Sequence, residues 1–159
     1  MAFRGRAFEC DCEKWLCSAG SKVVLWGIEN VGEGDTVIVA ESPIDAALAM
    51  QETPEIVAVA STGGAGTWRG VWSLRLARLR PARVIVWYDN DLAGTPSPTI
   101  RKELAQEWRE KNPKAKRLPR ANGPWVANSL LKVRVPAMLY QWPAEAPAKA
   151  DLSTVLMKG

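Results

Sequence analysis

The sequence predicts a single α/β domain in which a parallel sheet carries helices on both faces. Three short apolar runs, at 36–40, 56–60 and 84–88, are rich in valine and isoleucine, as strands buried in a parallel sheet are. Segments with helical signals separate these runs, and such alternation is typical of parallel α/β folds. The length of 159 residues and the hydrophobic content of 47% fit one domain with a sizeable core.

The helices are predicted from caps, prolines and apolar spacing. The first is expected over 43–51, with a proline in its first turn and Ser42 as its candidate N-cap. Two more are predicted over 71–79 and 99–111, each with an apolar stripe. A last helix is predicted over 126–132, after a turn at Asn-Gly-Pro. Helices therefore follow each of the three strands.

The remaining segments carry weaker signals. A fourth, shorter strand is expected at 115–118, which makes a sheet of about four parallel strands. Residues 1–22 show no clear period, so we expect an irregular N-terminal arm ahead of the main domain at 23–135. Residues 136–159 are rich in Ala and Pro, and we expect a loosely held C-terminal tail there.

Composition excludes several classes of protein. No apolar run approaches the ~20 residues of a membrane span, so we expect a soluble cytoplasmic protein that does not bind membranes. The chain has no histidine, which excludes serine–histidine and cysteine–histidine catalysis. Cys10, Cys12 and Cys17 do not complete a four-ligand zinc site, so we expect reduced thiols rather than zinc or disulfides. A metal knuckle completed by another chain is the alternative.

Charge is unevenly distributed along the chain, although the net charge is only +4. Residues 29–55 contain acids but no Lys or Arg, whereas residues 66–84 contain five arginines and no acid. Residues 109–120 are also strongly basic. An acidic centre with basic surroundings suits a site that binds metal and phosphate together. Ordinary surface charge is the alternative for any single arginine.

Acidic side chains and a glycine-rich loop follow the three predicted strands where each strand ends. Glu41 ends the first strand, the loop 61–67 follows the second, and Asp89 and Asp91 follow the third. Ligands of open parallel sheets bind at these carboxyl ends. Carboxylates that lie close together repel, and a divalent cation relieves the repulsion. Because magnesium uses one or two protein carboxylates and leaves positions for phosphate, the pattern predicts a Mg²⁺ or Mn²⁺ site.

The residues around these acids resemble the TOPRIM domain shared by bacterial-type primases, topoisomerases and some nucleases. The resemblance covers roughly residues 20–132 and is carried by VIVAESPIDAALAM, STGGAGTW and VIVWYDNDLAG. The spacing of Glu41 and Asp45, with Asp-Asn-Asp-x-x-Gly, is most similar to the primase and primase–helicase branch. Residues 14–28 look like the segment that precedes TOPRIM in those primases. A TOPRIM-type, Rossmann-like fold with a catalytic domain at 23–135 is therefore implied.

The resemblance also implies roles for single residues. Glu41 would be a general acid/base or a metal-associated residue, Asp89 and Asp91 would be metal ligands, and Asp45 would be an auxiliary acid. The implied activity is primer synthesis on single-stranded DNA from nucleoside triphosphates, with a helicase or other replication protein as a further partner. A nuclease that cleaves phosphodiesters, and a non-catalytic module that holds metal and nucleic acid, remain open. Full primases carry further domains, so we expect a fragment, a subunit, or a reduced protein of a phage or mobile element.

The sequence departs from the primase pattern after the fourth strand. Primase-like members carry acids there in a Gly-x-Asp-x-Asn-Asp-type motif, whereas this chain has NGPWVANSLL. Asn128 matches that motif, but Val126 and Ser129 stand where acids are expected. Two-metal phosphoryl transfer stabilises both the attacking and the leaving oxygen. A poorly held second metal therefore weakens the case for polymerising activity.

The glycine loop is a candidate phosphate site. Gly63, Gly64 and Gly66 permit positive φ and close approach of the backbone to a ligand. Backbone N–H groups near a helix start favour anions, and Arg69 adds a positive charge. Trp68 is a candidate for stacking on a base, although a core position is the alternative. For the loop itself, the alternative is a tight turn that binds nothing.

Overall fold

A computed structural model describes residues 4–6, 15–17 and 22–156 of the chain. It contains a small antiparallel sheet and a five-stranded sheet. The strands of the small sheet are β1 (Arg4–Arg6) and β2 (Trp15–Cys17). The strands of the large sheet are β3 (Leu25–Trp26), β4 (Thr36–Ala40), β5 (Val57–Ser61), β6 (Arg83–Trp87) and β7 (Ala137–Leu139). Cys10 and Cys12 lie outside the described residues, so the expectation about the cysteines stays a prediction.

The large sheet has the strand order β3-β5-β4-β6-β7, and four of its strands run parallel. β4 lies between β5 and β6, β7 joins the far side of β6, and only β3 pairs in the antiparallel direction. Five helices complete the described fold: α1 (Pro43–Glu52), α2 (Gly70–Leu79), α3 (Pro98–Lys111), α4 (Asn122–Lys132) and α5 (Leu152–Leu156). None of the helices in these residues is long and apolar enough to span a membrane.

The three longest strands of the large sheet, β4, β5 and β6, pack side chains into a core on both of their faces, because successive residues point in opposite directions. In β4, Val37 and Val39 join one core, while Ile38 and Ala40 join the other. The first core includes residues of α2 and α4, and the second includes residues of α1 and α5. The predicted class, an α/β sheet of about four parallel strands with helices on both faces, is confirmed.

The helices begin where the sequence signals place them, with one exception. Ser42 caps α1 as predicted, since its hydroxyl accepts a hydrogen bond from the N–H of Asp45 at 3.3 Å. Ser97 caps α3 in the same way. The exception is α4, which begins at Asn122 rather than at Val126. Its third residue is Pro124, which is tolerated there because a first-turn N–H has no acceptor within the helix.

The fourth parallel strand is β7, so the prediction of a strand at 115–118 is wrong. Residues 112–121 form turns and irregular structure, and most of them are exposed. This segment has too few apolar side chains to fill a position between two helical layers. β7 is only three residues long and follows Pro136, which is why no strand period was visible in the sequence.

The C-terminal tail is packed, so the prediction of a loosely held segment is wrong for residues 137–156. β7 belongs to the large sheet, and α5 packs against α1. Trp142, Ala150 and Leu152 are buried. The Ala- and Pro-rich composition suggested disorder, but widely spaced apolar residues are enough to hold the segment. The predicted boundary at 135/136 separates β7 from the sheet to which it belongs.

Candidate metal and phosphate site

Glu41 and Asp89 come together at the carboxyl edge of the large sheet. Glu41 directly follows β4, and Asp89 lies two residues beyond the end of β6. These strands are hydrogen-bonded neighbours in which Ala40 lies opposite Trp87. The Glu41 carboxylate accepts a hydrogen bond from the backbone N–H of Asp89. The parallel register therefore brings the two acids side by side, as the sequence predicted.

Burial and mutual repulsion raise the pKa of both acids. Burial is the main reason that the pKa of Glu41 rises to about 7, and the charges of Asp91 and Asp45 raise it further. Burial also raises the pKa of Asp89 to about 8, and the charges of Glu41, Asp45, Asp91 and Asp151 add to the effect. The charges of Asp45 and Asp91 thus act on both Glu41 and Asp89, as the four acids were expected to lie at one edge. Asp151, in the C-terminal segment, joins them and was not predicted.

Asp91 builds the turn that follows it. Its Oδ1 accepts hydrogen bonds from the N–H groups of Ala93 (2.8 Å) and Gly94 (2.7 Å). Thr95 N–H closes the turn on the carbonyl of Asp89 at 2.8 Å. Any side chain at Gly94 would clash with the backbone of Asp89. Residues 89–95, the acidic loop, are therefore a tight structure that depends on Gly94.

Asp45 lies one turn into α1 and shares the N-cap. The Ser42 hydroxyl donates to Asp45 Oδ2 at 2.5 Å, while its oxygen accepts the Asp45 N–H. The charge of Asp45 raises the pKa of both Glu41 and Asp89. The role of auxiliary acid, which the resemblance implied for Asp45, stays a prediction.

Buried polar atoms without hydrogen-bond partners gather at the same edge. Within the described part of the chain these atoms are Glu41 Oε2, Trp87 Nε1, Tyr88 OH and Thr95 Oγ1. All four residues lie at the ends of β4 and β6 or in the acidic loop. Buried polar groups are nearly always paired, so unpaired ones indicate a bound water, ion or ligand. The charge of Glu41 also raises the pKa of the buried Tyr88 hydroxyl, although burial is the larger cause.

The chemistry of these donors fits a divalent metal, but their arrangement is not that of a closed metal cage. Carboxylate oxygens are the ligands that Mg²⁺ and Mn²⁺ prefer, and the unpaired Glu41 Oε2 is such an oxygen. No group of three or more Asp, Glu, Cys or His side chains within the described ranges is arranged to hold one ion. The charges of the neighbouring acids raise the pKa of Glu41 and Asp89. Binding of a metal ion by Glu41, Asp45, Asp89 and Asp91 stays a prediction.

The glycine loop is shaped by its own hydrogen bonds. Thr67 Oγ1 lies 2.5 Å from the Ser61 hydroxyl and donates to the carbonyl of Gly64 at 2.8 Å. A side chain at Gly63 would press on Thr67, which folds back over it. Gly64 has φ 84° and ψ −174°, a conformation that is essentially restricted to glycine, and it faces open space. Both glycines are therefore required by the shape of the loop.

The glycine loop lies near the acidic loop, and the first residue of α4 lies between the two. The Cβ position of Gly66 is 4.0 Å from Asn122 Nδ2. That amide donates to the carbonyl of Ala93 at 2.9 Å, and the Asn122 N–H binds the same carbonyl. Asn122 thus connects the two loops at one edge of the sheet. Contact of the glycine loop with phosphate stays a prediction.

Trp68 is not available to stack on a base, so that hypothesis is wrong. Its side chain is 4% exposed and belongs to the first core. The indole N–H donates to the buried Ser73 hydroxyl at 3.0 Å, and the ring packs edge-on against Trp72. The short 3₁₀ helix Ala65–Thr67 carries the chain inward at this point. Arg69, the next residue, is exposed.

The basic stretches do not surround the site evenly. α2 runs from the carboxyl edge of the sheet to its amino edge, so Arg69 lies at the end nearest the acids. Arg80 and Arg83 lie at the other end, where Arg80 pairs with Glu33 (2.6 Å) and Arg83 donates to Thr36. The remaining arginines of the stretch, Arg75 and Arg78, are exposed. The arginines of this stretch therefore do not all lie at the acidic end of the sheet.

Arg120 is a basic residue at the site edge that the sequence did not single out. Its guanidinium lies 4.3 Å from the Trp125 ring centroid, and it donates to Asn122 Oδ1 at 3.5 Å. Because Asn122 contacts the acidic loop, Arg120 is held close to it. The sequence signals were its place at the end of the basic stretch 109–120 and its position just before the NGPW segment.

The positions that carry acids in the primase pattern face the protein interior here. Val126 is fully buried in the first core. The Ser129 hydroxyl hydrogen-bonds with that of Ser73 at 2.8 Å, between α4 and α2. Asn128 is exposed. An acid at position 126 would be buried among aliphatic side chains. The chain therefore differs from the primase motif both in residue type and in the burial of this position.

Comparisons with known proteins show similarity of structure. No sequence family matches the chain, and no curated protein matches it in sequence. The primase fragment of the bacteriophage T7 primase–helicase protein matches over 99% of this chain and 53% of its own, with 13% identity and a TM-score of 0.56. The DnaG catalytic core matches over 99% and 44%, with 19% identity and a TM-score of 0.53. The chain thus spans about half of each structure and shares their mixed α/β fold.

Proposed function

We propose that this chain is a TOPRIM domain of primase type, which binds Mg²⁺ or Mn²⁺ and transfers nucleotides to make primers on single-stranded DNA. The observation that carries the proposal is the meeting of Glu41, Asp89 and Asp91 at the carboxyl edge of two adjacent parallel strands. The fold shared with the T7 primase fragment and the DnaG core supports it. The order Glu, glycine loop, Asp-x-Asp along the sequence supports it independently.

The side chains have distinct roles in this proposal. Asp89 and Asp91 are the metal ligands, and Asp45 supports them as an auxiliary acid. A bound divalent ion would neutralise these carboxylates and polarise the phosphate oxygens of a nucleotide. Glu41, whose pKa is raised to about 7, is suited to accept and return a proton near neutral pH.

Phosphate and nucleic acid would approach from the open side of the same edge. The glycine loop offers backbone N–H groups, and Arg69 is exposed beside it. Arg120 adds a guanidinium that Trp125 and Asn122 hold in place. The substrates are single-stranded DNA and nucleoside triphosphates, and a helicase or another replication protein is the expected partner.

A second function is favoured by the interior positions of Val126 and Ser129. Without acids there, the chain has fewer ligands for a second ion, and polymerisation benefits from two. Cleavage of phosphodiesters by the same acids, or metal-dependent binding without catalysis, fits a single ion. Both alternatives use the same residues, so assays rather than geometry separate them.

The test is a pair of assays on labelled single-stranded DNA, with magnesium and with manganese. Extension by ribonucleotides identifies a primase, and shortening of the DNA identifies a nuclease. Glu41→Gln should lower either activity by about 10²–10⁴-fold, as expected for loss of a general acid/base. Binding of Mn²⁺ without either activity would leave the non-catalytic module. No activity and no Mn²⁺ binding would overturn the proposal.

A further inference from the structure

Asn90 lies between the two acids of the acidic loop and is completely buried, with 0% exposure. Its side-chain Oδ1 accepts a hydrogen bond from the N–H of Ser97 at 2.8 Å. Its Nδ2 donates to the carbonyls of Ala146 (3.1 Å) and Pro147 (3.0 Å). A residue here thus needs two side-chain donors and one acceptor, which asparagine supplies and aspartate does not.

The backbone of Asn90 binds the same distant segment. Its N–H donates to the carbonyl of Ala150 at 2.8 Å, and its carbonyl accepts from the N–H of Lys149 at 2.9 Å. One residue of the acidic loop therefore makes four hydrogen bonds to residues 146–150. We call residues 142–151 the C-terminal strap.

The strap is anchored at both ends. At its start, the buried Trp142 donates its indole N–H to the carbonyl of Tyr88 at 2.8 Å, next to Asp89. Its ring packs edge-on against Trp87, which ends β6. At its other end, Asp151 caps α5 by accepting from the N–H and hydroxyl of Thr154. The strap therefore crosses the end of β6 and the acidic loop in a fixed course.

We propose that Asn90 is a positioning residue, which fastens the C-terminal strap across the acidic loop and so fixes the relative positions of Asp89 and Asp91. The strap occupies hydrogen-bonding positions on the loop backbone that water would otherwise take. It ends with Asp151, whose negative charge acts on Asp89. The proposal deepens the function proposed above, because the residues it positions are the ones assigned there to the metal. The positioning role of Asn90 also applies to the metal-free protein, in which it can be tested separately.

The test compares Asn90→Ala with a matched control, Ser73→Ala. Ser73 is also fully buried and hydrogen-bonded, but it lies between α2 and α4, away from the acidic loop. The first measurement is amide hydrogen exchange at residues 90 and 95 in the metal-free protein. The second is the affinity for Mn²⁺, measured by calorimetry.

Asn90→Ala removes three side-chain hydrogen bonds. It should speed exchange at both amides by at least about tenfold, since the loss of one ordinary hydrogen bond of local stability already has an effect of that size. It should weaken Mn²⁺ binding by about 10–100-fold, as changes in groups that orient metal ligands do. Ser73→Ala should lower global stability while leaving both measurements at parental values. Equal effects of the two variants, or no effect of Asn90→Ala, would overturn the proposal.

Trp142→Phe decides the matter if Asn90→Ala does not fold. It keeps an aromatic ring in place, removes the hydrogen bond to Tyr88 and reduces the packing against Trp87. Both changes loosen the start of the strap, so exchange at residues 90 and 95 should again rise. Parental exchange in this variant overturns the proposal. If the parent protein itself binds no Mn²⁺, the proposed function fails, and the exchange experiment still decides the role of Asn90.

Discussion

At the scale of single residues, Glu41 and Asp89 are the most perturbed acids of the site, and their raised pKa values have a consequence for stability. Their values in the unfolded chain are near 4.5 and 3.8, against about 7 and 8 in the folded protein. The folded state therefore binds more protons between these limits. By linkage, their contribution to stability is largest below pH 4 and falls as pH rises toward 8.

We predict that the metal-free protein loses stability between pH 5 and pH 8.5, and that Asp89→Asn reduces this loss. The substitution removes the titrating group, and it also removes a charge that repels Glu41. Urea unfolding in the presence of a chelator, at both pH values, measures the difference. Parallel pH dependences in parent and variant would show that Asp89 does not titrate in this range.

Metal should reverse this effect, because an ion that binds only the folded state stabilises it by mass action. We predict about one Mn²⁺ per chain, and a stabilisation of roughly 2.7 kcal/mol when the free ion is at 100 times its dissociation constant. The Asp89→Ala, Asp91→Ala double variant should lose both. Calorimetry and thermal unfolding with and without Mn²⁺ measure them. Undiminished binding by the double variant would remove these residues from the metal site.

The residues that the sequence predicted and those that it missed differ in how far along the chain their contact partners lie. Glu41 and Asp89 were predictable because a parallel sheet aligns the ends of its strands. Asn90 was not, since its partners lie 56 and 57 residues further along the chain, and no spacing rule connects them. Asp151 was missed for the same reason. Trp68 was misread because a glycine-rich loop suggested exposure, whereas the 3₁₀ turn carries its indole into the core.

At the scale of elements, the same distinction explains which strands were predictable. β4, β5 and β6 are five-residue runs that bury both faces, so their apolar character is continuous. β7 is too short for such a run, and only its pairing with β6 defines it. The start of α4 was placed too late because Asn-Gly-Pro resembles a turn. In the fold, its first two N–H groups bind the carbonyls of Ala93 and Gly94.

The backbone conformation of the glycine loop leads to a prediction about the stability of the protein. Gly64→Ala places a side chain in open space, but at a φ of 84° that alanine adopts only with strain. We expect a loss of about 1–3 kcal/mol in the free energy of unfolding, measured by urea denaturation. If the loop binds phosphate, the variant should also bind single-stranded DNA more weakly, while its affinity for Mn²⁺ stays near the parental value.

Gly70→Ala is the matched control for this change. Gly70 is the first residue of α2, it has no positive φ, and its Cβ position also faces open space. The substitution should leave stability unchanged or raise it by about 0.4–1 kcal/mol, through the unfolded chain. Equal DNA binding by Gly64→Ala and the parent would make the loop a connection only.

At the scale of the whole molecule, the described fold accounts for about half of each primase structure that it matches. The sheet, its two helical layers and the acidic edge were predictable, because they follow from local apolar runs and parallel alignment. The closure of the edge by the C-terminal strap was not, since it depends on tertiary contacts made by residues of ordinary composition. The fold thus brings Asp151, which no sequence pattern singled out, close enough to Asp89 for its charge to raise the pKa of that acid.

The distribution of positive charge over the molecule gives the last prediction. Arg69 and Arg120 lie at the acidic edge, whereas Arg80 and Arg83 lie at the opposite edge of the sheet. If single-stranded DNA binds at the acidic edge, Arg69→Ala with Arg120→Ala should weaken binding and reduce its dependence on salt. The slope of log affinity against log salt should become shallower by about 1.4, since each phosphate contact on a single strand contributes about 0.7. Fluorescence anisotropy between roughly 50 and 200 mM salt covers the range in which such slopes are resolved. The control, Arg80→Ala with Arg83→Ala, removes the same charge from the other edge and should leave the slope unchanged. An equal reduction of the slope by both pairs would mean that DNA binding depends on net charge alone and does not take place specifically at the acidic edge.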